Sequence, residues 1–455
     1  MTRAGSLPRS LPVTDSTPAI ACRYILPPMT TLRGLLGLAF FILVAWLLSS
    51  NRKRFPARVV FFGVTLQVAL AAFLLKTSVG VSIFKGISDF VTKLIGMQKA
   101  GAELVFGNLA NGNFEEGGWG YALGFAANGL TVIIFFSALM AVLYHLGIMQ
   151  LLIYGLARVM TALLGVSGAE SMAVAANVFV GQTEAPLVVK PYLPRMTRSE
   201  LFALMTGGFA TIAGSVLAVY IGLLGDQVGP HLITASVLSA PAAFLIAKVM
   251  IPETETSVTG EHVELRFDRQ ASNLIEAAAN GTSDGLKLWL NVIAMLIAFM
   301  GLVALVNWPL GYLGEHLVAS GIMEGELSLG RIFGWVLAPV AWFMGVDGWH
   351  DCQLFGRLLG IKVAVNEFIG FQELGTMIPG SEAAGQVVFQ SQRTAQMAAY
   401  ALCGFANFAS IGIQIGGISP LCEERKPLIS SLAMRAMVGG AFASWMTATV
   451  AGIFL

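Results

Sequence analysis

Long apolar stretches separated by short polar segments constrain this chain more than any other feature of its sequence. A helix needs about 20 mostly apolar residues to cross the hydrocarbon core of a bilayer, where backbone polar groups cannot remain unpaired. Eight stretches meet or approach that length, namely residues 34–50, 59–75, 120–146, 201–224, 232–251, 288–306, 395–418 and 437–455. The pattern predicts an all-α integral membrane protein with about eight transmembrane helices.

Composition agrees with a chain that lies largely in lipid. Hydrophobic residues make up 56% of it and charged residues 12%, whereas soluble domains carry about 25% charged residues. The formal net charge is +1, so no excess of basic residues indicates a nucleic-acid partner. The sequence has no HExxH, GxSxG or Walker motif, which argues against a membrane protease, a lipase and an ATP-driven pump. We therefore expect a membrane protein that is not an enzyme.

The first 28 residues do not share this pattern. They are rich in Pro, Ser and Thr and contain no apolar run long enough for a signal peptide. Met29 stands directly before the first apolar stretch. We expect residues 1–28 to be either a disordered leader or sequence that precedes the natural start.

Basic residues in the polar segments predict the orientation, because short cytoplasmic loops carry an excess of Lys and Arg. They cluster in the segments 51–58, 190–198, 266–287 and 425–435. With eight spans all four segments fall on one side, which we assign to the cytoplasm, so both termini are expected outside. Four arginines before the first span argue the other way, namely Arg3, Arg9, Arg23 and Arg33.

Two further apolar stretches, 168–193 and 349–377, contain charged residues that a spanning helix rarely tolerates, among them Glu184 and Glu367. A charged side chain at the bilayer centre costs about 2.5–3.5 kcal/mol. Non-helical backbone at that depth is tolerated where it is buried in protein or lines a cavity. Each stretch is therefore predicted to be a re-entrant hairpin of two half-helices, the first opening to the cytoplasm and the second to the outside. Arg357 and Lys362 are expected to face the outer end of the second hairpin or to pair with carboxylates.

The chain contains an internal repeat. The first hairpin is followed by GFATIA at 208–213 and the second by GFANFA at 404–409. The span count places the two halves in opposite orientation, and inverted repeats with broken helices are a common plan of secondary transporters. The implied domains are scaffold and interfacial helices at 29–166, a first repeat at 167–252, a linker with the sixth span at 253–345 and a second repeat at 346–455. Segments 78–97 and 269–280 are expected to be interfacial helices, and 332–344 an interfacial or packing segment.

Polar side chains cluster in the apolar surroundings of both repeats. They are Asn177 with Gln182, Thr183 and Glu184, then Thr211 with Ser215, then Asn366 with Glu367, and Asn407 with Ser410. Uncharged hydrogen-bonding groups and carboxylates suit a neutral, polyhydroxylated ligand, and Phe405 or Phe408 could stack on its ring. The alternative is that such groups only bridge helices, and we favour this for Thr211 and Ser215 taken alone.

Three motifs carry a resemblance to the concentrative nucleoside transporter family over roughly residues 29–455. They are GQTEAP at 181–186, AVNEF at 364–368 and GFANFAS at 404–410. The eight-span form resembles the bacterial members, which implies location in the bacterial cytoplasmic (inner) membrane. The resemblance also implies a homotrimer, a scaffold whose sixth span lies at the trimer contact, and a transport domain that carries both hairpins and moves as an elevator.

The resemblance further implies the roles of individual residues in a sodium-coupled symporter of nucleosides such as uridine, cytidine or adenosine. Residues at the base are expected to be Gln182, Thr183, Glu184, Val216 and Phe405, and those at the ribose Glu367, Asn407 and Ser410. The co-transported sodium ion is expected to bind the side chains of Asn177 and Thr211 and the carbonyls of Val180 and Ile212. Thr211 stands where the family pattern has Ser, and the hydroxyl ligand is retained.

Other functions remain open at this point. The same fold could couple to protons, with Glu184 or Glu367 as the carrier, and sodium dependence at fixed pH would distinguish the two. A channel or facilitator is a second alternative, which counterflow kinetics would separate. An intramembrane enzyme acting on a lipid-linked sugar is a third, and product analysis would expose it.

Overall fold

The computed structural model describes residues 28–107, 130–229, 231–260, 271–323, 325–380, 385 and 387–455. All regular secondary structure in these residues is helical, which confirms the predicted fold class. The α-helices are Pro28–Leu47, Ala57–Lys76, Ser78–Phe106, Val132–His145, Ile148–Leu164, Gly168–Asn177, Ala185–Val188, Arg198–Ala210, Gly214–Val228, His231–Met250, Leu274–Ala319, Leu329–Phe343, Trp349–Ala364, Glu367–Met377, Gln392–Leu402, Phe408–Ile418 and Lys426–Phe454. The leader ahead of Pro28 lies outside the described residues.

Several helices have membrane-spanning character. Among the described residues, four stretches are long and apolar enough to cross a bilayer, namely Ala57–Lys76, Arg198–Gly225, His231–Met250 and Glu423–Phe454. They match the predicted spans 59–75, 201–224, 232–251 and 437–455. The first predicted span, 34–50, coincides with a shorter apolar helix, Thr31–Leu47. The seventh, 395–418, is divided into two helices, which fits the broken helix expected in the second repeat.

The third predicted span, 120–146, is only partly described, because residues 108–129 lie outside the described part of the chain. Its described part is the helix Val132–His145, and a 76° bend separates this helix from Ile148–Leu164. Gly147 lies at the bend with φ 82°, a conformation that costs a residue without Cβ little. The sequence analysis assigned no helix to 148–164, which was wrong.

The sixth predicted span, 288–306, lies inside one helix of 46 residues, Leu274–Ala319. At 1.5 Å per residue this helix is about 70 Å long. The expectation of a separate interfacial helix at 269–280 is therefore wrong from Leu274 onward, and the helix also continues beyond the end of the predicted span as far as Ala319. Hydropathy falls at both ends of the span, but the helix continues past Pro309, whose nitrogen has no hydrogen to donate to the helical ladder.

Both charged apolar stretches fold as hairpins. Hairpin 1 consists of the arms Gly168–Asn177 and Ala185–Val188, and hairpin 2 of the arms Trp349–Ala364 and Glu367–Met377. An ion pair between Arg357 and Glu373 joins the two arms of hairpin 2, as expected for Arg357. Lys362 behaves differently from the expectation, because its Nζ donates to Ala401 O at 2.8 Å and to Ser444 Oγ at 2.7 Å. This buried lysine therefore anchors hairpin 2 to the helices that follow it.

Each hairpin is followed by a helix that is interrupted at the repeated motif. We call residues 211–213 break 1 and residues 403–407 break 2. The last helix, Lys426–Phe454, packs against the helix that ends at break 1 and against both helices that flank break 2. We call the region where the two breaks approach each other the junction. Its residues Gly439 and Gly440 face Thr206 and Phe209 so closely that a Cβ at Gly440 would overlap Phe209. Small residues at such crossings let helix backbones approach each other within a membrane.

The first two helices pack against this last helix and its neighbours. Gln67 is fully buried and its Nε2 donates to Leu238 O at 3.0 Å and to Thr447 Oγ1 at 3.2 Å. Arg33 forms an ion pair with Asp347, which lies just ahead of hairpin 2. Helices Pro28–Leu47 and Ala57–Lys76 are therefore connected to the elements that carry the hairpins.

Candidate substrate and sodium site

The tip of hairpin 1 lies directly against break 1. Gly181 in the tip has φ 104°, and a Cβ there would stand 2.8 Å from the Cβ of Ala213. The amide of Gly214 donates to Phe179 O at 2.9 Å. Only glycine combines this backbone conformation with so close an approach. The GQTEAP motif thus begins with the residue that allows the tip to touch the interrupted helix.

Two of the expected sodium ligands are bonded to each other at this contact. Thr211 Oγ1 donates to Asn177 O at 2.9 Å and to Gly207 O at 3.0 Å. Asn177 is fully buried, and its Nδ2 donates to Leu204 O at 3.3 Å. Among the described residues no donor reaches its Oδ1. A buried acceptor without a donor costs free energy unless a ligand, ion or water satisfies it.

The other two expected ligands lie in the same junction. Val180 belongs to the tip and Ile212 to break 1, where neither backbone is helical. The bond between Gly214 and Phe179 holds these segments side by side. Hard cations prefer carbonyl, amide and hydroxyl oxygens, which this group can supply. The residues present therefore fit a sodium ion, with Asn177 Oδ1 as the ligand whose acceptor capacity is free.

The residues expected at the nucleobase surround the same tip. Gln182 is buried, and its Oε1 has no donor in the described part of the chain. Thr183 faces the helix after break 2, since a Cβ at Gly417 would lie 2.9 Å from Thr183 Cγ2. Val216 is buried in the first turn after break 1. Glu184 is different: its residue surface is exposed, and it opens onto a cavity beside the tip.

The residues expected at the ribose form a hydrogen-bonded group at hairpin 2. Glu367 is the first residue of the second arm, and its Oε2 accepts from Asn407 Nδ2 at 2.8 Å. Asn407 Oδ1 in turn accepts from Ser410 N at 2.8 Å and caps the helix after break 2. The structure thus brings Glu367, Asn407 and Ser410 together. An ionised carboxylate offers about four lone-pair positions, so this one retains acceptors for further donors.

The two breaks touch each other through the repeated motif. Gly404 has φ 135°, and a Cβ there would lie 2.7 Å from Phe209 O and 3.0 Å from Ala210 C. The adjacent Phe405 is half-buried, whereas half of the Phe408 surface is exposed. Of the two candidate aromatic rings, Phe405 is therefore the one inside the junction. Thr211 in break 1 and Asn407 in break 2 therefore belong to segments that touch each other.

A cavity of about 450 Å³ lies beside the tip of hairpin 1. Val180 and Glu184 line it on one side, and Gln150 and Asp284 line it on the other. The helix Val132–His145 and the first part of the 46-residue helix form its far wall. The cavity gives the tip an open side, whereas Asn177, Glu367, Asn407 and Ser410 are buried and do not line it.

Sequence reasoning missed two side chains of this junction. Tyr220 is buried in the helix Gly214–Val228, and its hydroxyl donates to Glu367 Oε1 at 2.9 Å. Gln414 is fully buried, and its Nε2 donates to Met205 O at 2.9 Å. Each is an isolated polar residue in an apolar stretch, which is the only signal that the sequence offers for either.

Family models of one group match most of the chain from residue 36 onward. The model described as "Na+ dependent nucleoside transporter C-terminus" matches residues 231–452, its N-terminal counterpart matches 36–109, and the model "Nucleoside recognition" matches 126–227. These descriptions are those of a transporter and not of an enzyme, and they name sodium as the co-transported ion of the family.

Individual relatives agree. The chain is 40% identical over 427 residues to "Nucleoside permease NupC" of Helicobacter pylori, which covers 94% of this chain and 98% of that one. It is 40% identical over 424 residues to "Solute carrier family 28 member 3" of Rattus norvegicus, covering 92% of this chain and 58% of the longer relative. A solved structure of CNTnw, in an inward-facing substrate-bound state, superposes with a TM-score of 0.84 at 41% identity over 94% of this chain and 98% of that one. By its sequence over nearly its whole length and by its fold, the chain belongs to the concentrative nucleoside transporter family.

Proposed function

We propose that this protein is a symporter that imports nucleosides together with sodium by alternating access. The observation that carries the proposal is the junction at which the two breaks touch, where Gly404 lies against the backbone just ahead of break 1. Thr211, which is bonded to Asn177, belongs to break 1, and Asn407, which is bonded to Glu367, belongs to break 2. A cation and a neutral nucleoside bound at such a junction would each stabilise the geometry that the other needs, because binding linkage is reciprocal.

The chemistry of each group fits its proposed ligand. Glu367 can accept hydrogen bonds from ribose hydroxyls, and bonds to an ionised group are roughly twice as strong as neutral ones. Gln182 and Thr183 can donate or accept at the edge of a base, with Val216 and Phe405 beside its apolar faces. Glu184, which opens onto the cavity, is proposed to assist at the base through water. The sodium gradient supplies the driving force, since one charge crossing 100 mV contributes about 2.3 kcal/mol.

Uptake of radiolabelled nucleosides into proteoliposomes tests this function directly. We expect uptake of uridine, cytidine or adenosine under an inward sodium gradient, and no concentrative uptake when choline replaces sodium at constant pH. Full uptake in choline, driven by an imposed pH gradient, would overturn sodium coupling and favour the proton-coupled alternative. Uptake of none of the nucleosides under either gradient would overturn the proposed substrate class.

Changes on the base side are expected to alter selectivity. The amide of Gln182 and the hydroxyl of Thr183 can each act as donor or acceptor, so different base edges can be accommodated directly or through water. Gln182→Ala or Thr183→Ala should therefore change the ranking within a nucleoside panel more than it lowers transport of every member. Competition assays against one labelled nucleoside measure the ranking. An equal loss for all members would assign these residues a structural or gating role instead.

Tyr220→Phe is expected to weaken nucleoside binding by about tenfold or slightly more. The substitution removes the 2.9 Å hydrogen bond to Glu367 Oε1, and a bond to a charged group contributes about 1.5 kcal/mol or slightly more. Phe retains the ring, which packs 4.4 Å from Phe371 between ring centroids. Calorimetric titration measures the effect. Tyr400→Phe is the matched control. It removes a hydroxyl that contacts His231 rather than Glu367, so the affinity for the nucleoside should stay normal.

The assembly and the moving body are also proposals. We propose that the body that moves as an elevator includes both repeats and, in a change from the expected scaffold at 29–166, the first two helices, because Gln67 and Arg33 bond to that body. We further propose a homotrimer in the bacterial inner membrane with both termini outside. The 46-residue helix exposes large apolar residues such as Ile297 and Leu305, which lipid or a neighbouring protomer must cover. Light scattering in detergent tests the trimer, and accessibility of single terminal cysteines tests the orientation.

A further inference from the structure

Gln414 occupies an unusual position for an uncharged polar residue. It lies in the helix Phe408–Ile418 after break 2, and none of its surface is exposed. Its Nε2 donates across the repeat interface to Met205 O at 2.9 Å. Its Oε1 is buried, and no donor in the described residues reaches it. An apolar side chain would avoid the cost of such an orphan acceptor, so packing alone does not account for glutamine here.

The amide of Gln414 lies beside Gly208 together with the amide oxygen of Asn177 and the Cβ of Gln182. A Cβ at Gly208 would stand 2.7 Å from Gln414 Nε2, 2.9 Å from Gln182 Cβ and 3.4 Å from Asn177 Oδ1. The side-chain oxygens of all three residues are buried without donors in the described chain. Gly208, the first residue of the repeated motif, is thus the position at which any side chain would push these amides apart.

The helix Arg198–Ala210, which ends directly before Thr211, accepts hydrogen bonds from both Asn177 and Gln414. Asn177 Nδ2 bonds to Leu204 O, and Gln414 Nε2 bonds to the next carbonyl, Met205 O. One amide comes from the end of the first arm of hairpin 1 and the other from the second repeat. A shift of this helical turn when sodium binds Asn177 would therefore be transmitted to Gln414.

Gln414 is also connected to the residues that are expected to bind the ribose. Gln414 lies on the same short helix that Asn407 caps, and Asn407 Nδ2 holds Glu367 Oε2 at 2.8 Å. A helix of 11 residues moves as a unit because its backbone is hydrogen-bonded throughout. Hydrogen bonds and two helices thus connect Asn177 to Glu367. The connection passes through the helix Arg198–Ala210, then Gln414, and then the helix that Asn407 caps.

We propose that Gln414 is a positioning residue that couples sodium binding to nucleoside binding across the two repeats. The proposal rests on the proposed sodium symport and goes beyond it by assigning the coupling to a side chain that is expected to touch neither ligand. Removing its amide should leave both sites in place but make each less responsive to the other.

The test measures the dissociation constant of uridine, or of the nucleoside found best in uptake, without sodium and at saturating sodium. The ratio of the two constants is the coupling factor, which in coupled systems is typically about 5–150. Gln414→Met keeps the length and removes the amide, and we expect it to lower the factor about fivefold or more while the sodium-free constant stays near that of wild type. Gln67→Met is the matched control, because Gln67 is equally buried and also has an orphan Oε1, but lies outside the junction. It should retain the wild-type factor.

A second variant changes the surroundings of the Gln414 amide instead of the amide itself. Gly208→Ala places a methyl group against Gln414 Nε2 and should lower the coupling factor likewise, whereas Gly412→Ala, with open space around it, should not. A wild-type factor in folded Gln414→Met or Gly208→Ala would overturn the proposal. Failure of both to fold, with both controls folded, would assign Gln414 a structural role and also overturn it. If the nucleoside affinity of the wild type does not depend on sodium, the proposed sodium symport is contradicted, and this inference is contradicted with it.

Discussion

Glu367→Gln is expected to raise the nucleoside dissociation constant by about 100-fold. Hydrogen bonds to a charged group contribute about 1.5 kcal/mol or more each, and two ribose hydroxyls lost from the carboxylate correspond to about two powers of ten. The amide can still accept from Asn407, and Tyr220 can turn its hydroxyl to accept from the new NH₂ group. The internal hydrogen bonds therefore survive, and the loss should concentrate on the ligand side.

Calorimetric titration at saturating sodium measures this loss, together with a thermal melt of the detergent-solubilised protein. Free nucleobases, which lack the ribose, should compete poorly with a nucleoside in the wild type. Glu315→Gln, an exposed carboxylate on the 46-residue helix, is the control for removing one negative charge. Unchanged affinity in a Glu367→Gln protein that melts like wild type would contradict the assignment of Glu367 to the ribose.

Asn177→Ala and Thr211→Ala are expected to raise the sodium concentration for half-maximal uptake by about tenfold, the equivalent of about 1.4 kcal/mol of lost binding free energy. Asn177 loses an acceptor that no described donor satisfies. Thr211 loses a hydroxyl whose hydrogen is already donated to Asn177 O and Gly207 O, so its lone pairs are what the ion would use. Both changes should leave the maximal rate at high sodium less affected than the sodium requirement.

Thr206→Ala provides a matched control for this prediction. Thr206 lies in the helix Arg198–Ala210, which ends directly before Thr211. It is fully buried and faces Gly439 of the last helix rather than break 1. Its removal should not change the sodium requirement. Initial uptake rates as a function of sodium, with choline maintaining ionic strength, give the comparison. An identical sodium requirement in wild type, Asn177→Ala and Thr211→Ala would contradict the assignment of the sodium site to these residues.

The amino-acid sequence by itself determined the class of fold and the identity of the hairpins. An apolar stretch that contains Glu184 or Glu367 cannot cross lipid as a simple helix, and that cost is a property of the stretch alone. The repeated GFA motif located both breaks, since it lies directly before break 1 in the first repeat and within break 2 in the second. These inferences held because each depends on neighbours along the chain.

Only the tertiary structure decided which side chains meet at the junction and how the outer helices are arranged. Tyr220 and Glu367 are 147 positions apart, and Gln414 and Met205 are 209 apart. The 46-residue helix continues beyond its apolar part, and Gln67 connects the second helix to the last one over 380 positions. Hydropathy reports how a segment is solvated, whereas a hydrogen bond between distant segments depends on how the helices cross. A lone Tyr or Gln in an apolar stretch therefore acquires its role only from the partner that packing places beside it.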